Sequence, residues 1–247
     1  MIKVVKDLED TPTSLNERKT NRKRDNCIKD AKYHYKKAFD QQYKQQDVKT
    51  NLKKIYNEKC AFCEQKIREC KDNNLEDCSQ TIEHYRPKGK YYWLAYSWDN
   101  LLWCCHRCNQ NKDNHFEIDS NQIEYEESFR ENIHTSTNNY QELENPKMIN
   151  PEIESVLDKL SFYDGVIDSN DVRLKYTIKQ CGLDRDDLNE ARQIIIEDFI
   201  EKLIDKKLKN EPLIEDLKEL ISEFKNQESE FRALRYWISK NYMSLID

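Results

Sequence analysis

The residues that could do chemistry lie between Cys60 and His115. Cys60-Ala-Phe-Cys63 and Cys105-His-Arg-Cys108 are two Cys-x-x-Cys pairs. Four thiolates in such pairs suit tetrahedral zinc, with Zn–S near ~2.3 Å. The 41 residues between Cys63 and Cys105 exceed the usual gap of roughly 15–20, so a module must be inserted there. That module holds Glu83-His84 and Asn100, and Asn109 directly follows the last cysteine. A carboxylate, an imidazole and amide oxygens offer hard ligands for one divalent cation and a proton acceptor for water, the parts of a metal-assisted hydrolysis. Cys104 is an alternative zinc ligand but breaks the two-residue gap. Cys70, Cys78 and Cys181 read as ordinary cysteines.

The elements around this stretch must position it. Thr81-Ile-Glu-His-Tyr85 reads as a short strand, and neighbours on a strand point to opposite faces. Tyr91-Tyr-Trp-Leu-Ala-Tyr-Ser-Trp98 is aromatic enough to form core and wall of a small zinc fold. The polar Cys70–Cys78 segment reads as an insertion. Upstream, residues 1–16 are expected to be extended, since Pro12 and the Thr-Ser pair oppose an early helix. Residues 21–57 turn helical, with Ile28, Ala31, Tyr35, Ala38, Phe39 and Tyr43 near helical spacing and a second short helix through Leu52, Ile55 and Tyr56. Cys27 and His34 read there as a packed or surface pair. Downstream, 119–147 is a polar link containing His134, a loop residue. Asn150-Pro151 is a turn, and Asp164-Gly165 sits in a short strand pair. Helices follow from Thr177 to about Asp205, with a break at Gly182, from Pro212 through Phe224, and from Phe231 to Met243.

Composition sets the class. The 247 residues carry 36% charged and 37% hydrophobic side chains with three glycines, a helix-rich and polar balance. No apolar run approaches the ~20 residues of a membrane span, and the start lacks a hydrophobic signal core. The expected setting is the reducing cytoplasm, where cysteine pairs bind metal rather than form disulfides. The net charge of −6 is unevenly spread. Residues 1–50 hold 13 Lys and Arg against 8 Asp and Glu, residues 51–120 hold 11 of each, and residues 121–247 hold 17 against 28. The basic run Arg18–Arg24 is thus the better general nucleic-acid surface, and the acidic C-terminal helices a better protein-binding one.

Taken together, the cysteine pairs, Glu83-His84, Asn100 and Asn109 resemble the HNH (ββα-metal) endonucleases, in the version with a four-cysteine zinc ribbon. The implied fold is α+β and mostly helical: a small zinc-stapled nuclease core over residues 59–120, N-terminal helices over 1–58 and a C-terminal helical bundle over 121–247. The implied roles are Glu83 and Asn109 as ligands of the catalytic metal, His84 as general base and Asn100 as its positioner. Asn109 stands where the family name expects a histidine. An oxygen donor there favours Mg²⁺ or Mn²⁺ over softer metals. His115, and after it His106, are the alternative third ligands. Arg86, Lys88 and Lys112 are placed to hold flanking phosphates.

The wider string Cys-x-Phe-Cys-Glu-Gln, Ile-Glu-His-Tyr-Arg-Pro-Lys, Trp-x-Asn-Leu and Cys-x-x-Cys-Asn-x-x-Lys is similar to the HNH subunits of Septu anti-phage systems (PtuB type), including retron-linked versions. That resemblance implies a defence role against phage, an ATPase partner (PtuA type) and a nucleic-acid target, DNA or tRNA. A stand-alone or restriction-like HNH nuclease, and a non-catalytic zinc-knuckle binding module, are the competing expectations.

Overall fold

The computed structural model describes residues 1–67, 80–209, 212 and 214–241. Cys70, Cys78, Leu213 and Met243, and the expected insertion at 70–78, lie outside them. The fold is α+β and mostly helical, with two small antiparallel hairpins.

Four helices open the chain: α1 (Thr13–Asn16), α2 (Arg18–Lys29), α3 (Lys37–Tyr43) and α4 (Gln46–Ile55). The expected extended start is therefore interrupted at Thr13, where Pro12 precedes the first helical turn, a place proline tolerates. Helix α2 stops at Asp30, and Ala31 takes a left-handed φ of 50°. Residues 30–36 thus form a bend, and His34 ion-pairs with Asp30 while Cys27 is buried.

The central unit is β1 (Gln80–His84), β2 (Leu101–Cys105) and α5 (His106–Lys112). The strands pair antiparallel, Gln80 opposite Cys105 and His84 opposite Leu101. The connection from 85 to 100 buries Tyr85, Tyr91, Trp93, Tyr96 and Trp98, as its aromatic content predicts.

The polar link instead folds in part. Helix α6 (Thr137–Glu144) forms within it, drawn in by contacts with the β1–β2 connection that its polar sequence does not advertise. Next come β3 (Leu160–Tyr163) and β4 (Val166–Ser169), joined through Asp164 and Gly165, both at positive φ. Gly165 is required there: a Cβ would stand 2.1 Å from the Asn189 carbonyl oxygen. Helix α7 (Val172–Cys181) starts earlier than Thr177 because Asp171 caps it, accepting from the Arg173 and Leu174 amides. Gly182, at φ +57°, breaks it from α8 (Asp186–Lys209). Helices α9 (Ile214–Lys225) and α10 (Arg232–Asn241) pack together at the end.

One continuous cluster of buried residues runs from Met1 to Ile238 across the expected boundaries at 58 and 120. Polar bonds cross them too. The first cysteine knuckle is held by distant chain: Lys59 Nζ donates to the carbonyls of Gln227 and Ser229, the latter at 2.8 Å. Lys66 N–H donates to Glu230 Oε1 at 2.6 Å, and Ala233 N–H to Glu64 Oε2 at 3.1 Å. Within the basic run, Arg18, Lys19 and Arg22 face solvent, but Arg24 is buried and donates to the Tyr96 carbonyl at 3.1 Å.

Candidate active site and metal centre

Cys60, Cys63, Cys105 and Cys108 converge. Their sulfurs all lie within 4.8 Å of one another, and Cys63 Sγ and Cys105 Sγ are 3.9 Å apart. Tetrahedral Zn–S bonds of ~2.3 Å put sulfurs about 3.8 Å apart, so four thiolates in this spacing fit a single Zn²⁺. Local structure explains the convergence. The first knuckle turns tightly, with Cys60 N–H bonded to the Gln65 carbonyl at 2.9 Å and Glu64 at φ +65°. The second lies where β2 runs into α5, so that Cys105 caps the helix and its sulfur accepts from Cys108 N–H at 3.5 Å. Cys104 points elsewhere on the strand. Its sulfur is 3.6 Å from Cys60 Sγ but outside the group of four. Burial, first of all, pushes the Cys104 thiol up, so it can donate S–H to a Cys60 thiolate. Arg185, just before α8, donates to Cys108 Sγ at 3.3 Å, and positive charge there offsets a cluster of thiolates.

Glu83 and His84 end β1, both buried. His84 Nε2 lies 3.0 Å from the Ala95 carbonyl, which can only accept, so Nε2 carries the proton and Nδ1 keeps its lone pair. The ring meets Tyr43 edge-on at 4.6 Å. Burial, then the Lys88 ammonium, holds the imidazole's pKa well below the usual histidine range, so it is neutral. Asn100 is fully buried and clasps the chain that follows His84. Its Oδ1 accepts from Arg86 N–H at 2.8 Å, and its Nδ2 donates to the carbonyls of Arg86 at 3.0 Å and Leu94 at 3.2 Å. Leu94 precedes Ala95, so Asn100 fixes the carbonyl on which His84 rests.

Lys112 and Arg86 both lie buried in ion pairs. Lys112 is fully buried on α5 and donates to Glu83 Oε1 at 2.7 Å and to the His84 carbonyl at 2.9 Å. It reaches the carboxylate, not an outside phosphate. Arg86 is likewise sealed. Its Nε pairs with Glu144 Oε2 at 2.9 Å, and its guanidinium lies among the rings of Tyr85, Tyr91, Phe116 and Tyr140. A phosphate cannot reach it without opening this core, so its place is architectural. Lys88 differs: it is half-buried, and its ammonium sits 5.4–5.6 Å from the ring centres of Tyr33, Tyr35 and Tyr43.

Asn109 lies three residues before Lys112 on α5, a helix packed against β1. His115 is exposed, past the helix end where Asp113 takes φ 39°, and His106 is on the first turn of α5. Burial raises the Glu83 carboxyl's pKa, and Lys112 opposes this. A carboxylate such as Glu83 and an amide oxygen such as that of Asn109 are the oxygen donors that Mg²⁺ or Mn²⁺ prefers.

Three supports escape a reading of the sequence. Lys6 donates to the carbonyls of Trp98 at 3.0 Å and Leu101 at 2.6 Å, bracketing Asn100, and pairs with Glu152 at 2.7 Å. His134 Nδ1 accepts Trp98 N–H at 3.0 Å. Asp99 Oδ2 accepts Thr137 N–H at 2.8 Å. Lys6, His134 and Thr137, the distant members of these bonds, are lone polar residues with no local pattern to single them out.

No protein-family model matches the chain. It is 32% identical over 174 residues to Septu protein PtuB of Bacillus mycoides (strain KBAB4), covering 64% of this chain and 53% of that relative. It is also 37% identical over 68 residues to Septu protein PtuB of Bacillus thuringiensis, covering 28% of this chain and 24% of that relative. The chain thus spans about half the length of the first relative and about a quarter of the second. Over the 174 matched residues, this chain is similar to Septu protein PtuB.

Proposed function

We propose that this chain is a metal-dependent HNH endonuclease, the cutting component of a Septu-type anti-phage defence complex controlled by an ATPase subunit. The observation that carries the reading is the β1–β2–α5 unit: a buried Glu83-His84 pair at a strand end faces a helix bearing Asn109, and a four-cysteine cluster staples that helix in place.

In this reading His84 is the general base. Its Nε2–H is held by Ala95, so Nδ1 receives the proton of the attacking water. Neutrality matters, because a protonated ring accepts nothing, and burial keeps it neutral. Asn100 acts through the 86–95 backbone, keeping the imidazole aimed. Glu83 and Asn109 would hold the divalent cation, which when bound supplies positive charge to the scissile phosphate and the leaving oxygen. Lys112 holds Glu83 ionised and oriented. Lys88 is the remaining expected cation near the site with access to solvent. The zinc cluster is structural, and the C-terminal helices, with Ile194, Ile204 and Leu208 exposed on α8, are the surface offered to the ATPase.

His84→Ala tests the reading. The variant should fold, keep zinc and bind nucleic acid, while cleavage falls by about 10²–10⁴-fold. Cleavage by the variant at the wild-type rate would refute the assignment.

A further inference from the structure

Part of the wall around His84 is built by the N-terminal segment. Tyr43, from α3, packs against the His84 ring. Tyr33 and Tyr35 come from the bend before α3, and Tyr35 meets Tyr33 edge-on at 5.1 Å. Tyr33 is buried and anchored through its hydroxyl, which donates to Asp40 Oδ1 at 2.7 Å. Tyr35 is different. It is 65% exposed, yet it is not a loose side chain. Its hydroxyl lies so close to Gly89 that a Cβ there would come within 2.6 Å of it. The glycine therefore admits the ring, and the backbone after Lys88 holds it.

A large aromatic ring exposed to water gains nothing for the fold, and here it is braced beside a cation. The three tyrosines surround the Lys88 ammonium with ring faces and edges, and among the described residues no carboxylate pairs with it. Lys44, exposed at the end of α3, adds a second positive charge whose ammonium lies 5.5 Å from the Tyr43 ring centre. An aromatic face next to free positive charge is the pairing that a nucleotide requires: base on the ring, phosphate on the ammonium.

We propose that Tyr35 and Lys88 form a nucleotide subsite next to His84, with Tyr35 stacking an unpaired base and Lys88 holding the adjoining phosphate. The substrate is then single-stranded or locally unpaired nucleic acid, because a base inside an intact duplex has no free face for the ring. This rests on the nuclease reading and narrows its substrate class.

The test is binding by the full chain with no Mg²⁺ or Mn²⁺ added, read by fluorescence anisotropy. The probes are a labelled single-stranded DNA of about 12 nucleotides, an RNA of the same sequence, and the blunt DNA duplex; such a length covers one typical stacking groove. Tyr35→Ala should weaken single-strand binding roughly 5- to 150-fold, the range of one lost base stack, and leave duplex binding unchanged. Tyr35→Phe, which keeps the ring, should stay near wild type. Lys88→Gln should lower the slope of log affinity against log salt by about 0.7, one phosphate contact on a single strand. The DNA and RNA arms separate the two sugars. Single-strand binding unchanged in Tyr35→Ala, or equal losses on strand and duplex, overturns the subsite. A wild-type protein that prefers duplex to single strands, and cuts it once Mg²⁺ or Mn²⁺ is added, overturns the subsite but leaves the nuclease reading standing. A wild-type protein that binds no probe, and cuts none once the metal is added, overturns both.

Discussion

Replacing Arg86 separates a structural cation from a substrate-binding one. The guanidinium and Glu144 are both fully buried, and the carboxylate also accepts from the Tyr91 hydroxyl at 2.7 Å and Ile123 N–H at 3.0 Å. In Arg86→Met the side chain remains large and apolar among four aromatic rings, but Glu144 loses its countercharge. Breaking a buried pair by removing one partner costs about 3–5 kcal/mol. For a chain of this size each kcal/mol moves the midpoint by about 2–4 °C, so Tm should fall by roughly 6–20 °C. Glu144→Gln alone leaves the guanidinium unpaired and should cost a similar amount. The double variant removes both charges, and its amide oxygen can still accept from Tyr91. It should cost about 2–3 kcal/mol less than the sum of the two single losses, the coupling expected of neighbours in a cycle. Urea and thermal unfolding give the four corners, and cleavage by the double variant gives the decisive reading. If it is as stable as the wild type and has lost nucleic-acid binding, Arg86 touches substrate and the architectural assignment is wrong. If Arg86→Met melts within about 1 °C of the wild type, the buried pair does not carry the energy assigned to it.

Elemental analysis should return one zinc per chain, and Cys108→Ser should lose it together with the cooperative unfolding transition, since metal binding and folding are one free energy at such sites. A folded, cooperative, zinc-free protein would contradict this. His134 should make stability fall with acid. Burial pushes its pKa down to about 3, so the folded ring stays neutral while the unfolded one takes a proton below ~6.5. Its contribution is complete above that pH and costs about 2 kcal/mol by pH 5. Asp99 opposes it. Burial pushes its carboxyl up to about 6, so its penalty is present above pH 6 and fades as pH falls to about 4. The comparison therefore sets wild type against His134→Gln, whose urea midpoint should change less between pH 6.5 and 5. Equal pH dependence in the two proteins would rule out the assigned role.

How much of this could be read from the chain differs by part. The cysteine spacing located the cluster, because a tetrahedral ion needs thiols in tight pairs and little else. The β1 strand, the aromatic connection and the Asp164-Gly165 turn were legible for similar local reasons: β-branched residues, dense rings, and two positions at positive φ. The burial of Arg86 and Lys112 was not legible, because a lysine or arginine near a histidine looks the same whether it faces water or a buried carboxylate. Their partners settle that, and Glu144 lies 58 residues from Arg86 in sequence. Helix α6 was missed for the same cause, its apolar pattern being weak and its hold on the core running through Glu144 and Thr137. Tyr35 and Tyr43 fitted a helical pattern, yet the chain bends at Ala31, so together with Tyr33 they form a wall instead of a stripe.

The ties from residues 227–233 back to the first knuckle bear on how the protein is made. Synthesis runs from the N-terminus at about 5–20 residues per second, and distant contacts form late. When the ribosome has just released Cys108, all four sulfurs exist, but Lys59, Glu64 and Lys66 still lack the partners that shape their turn. Arg86 likewise waits for Glu144, and the Asn100 loop for His134. The unit around the cysteine cluster therefore gains its last supports only after residues 227–233 have emerged. A copy that stops short of them has its four thiols and its Glu83-His84 pair, but not the contacts that hold the first knuckle in its turn.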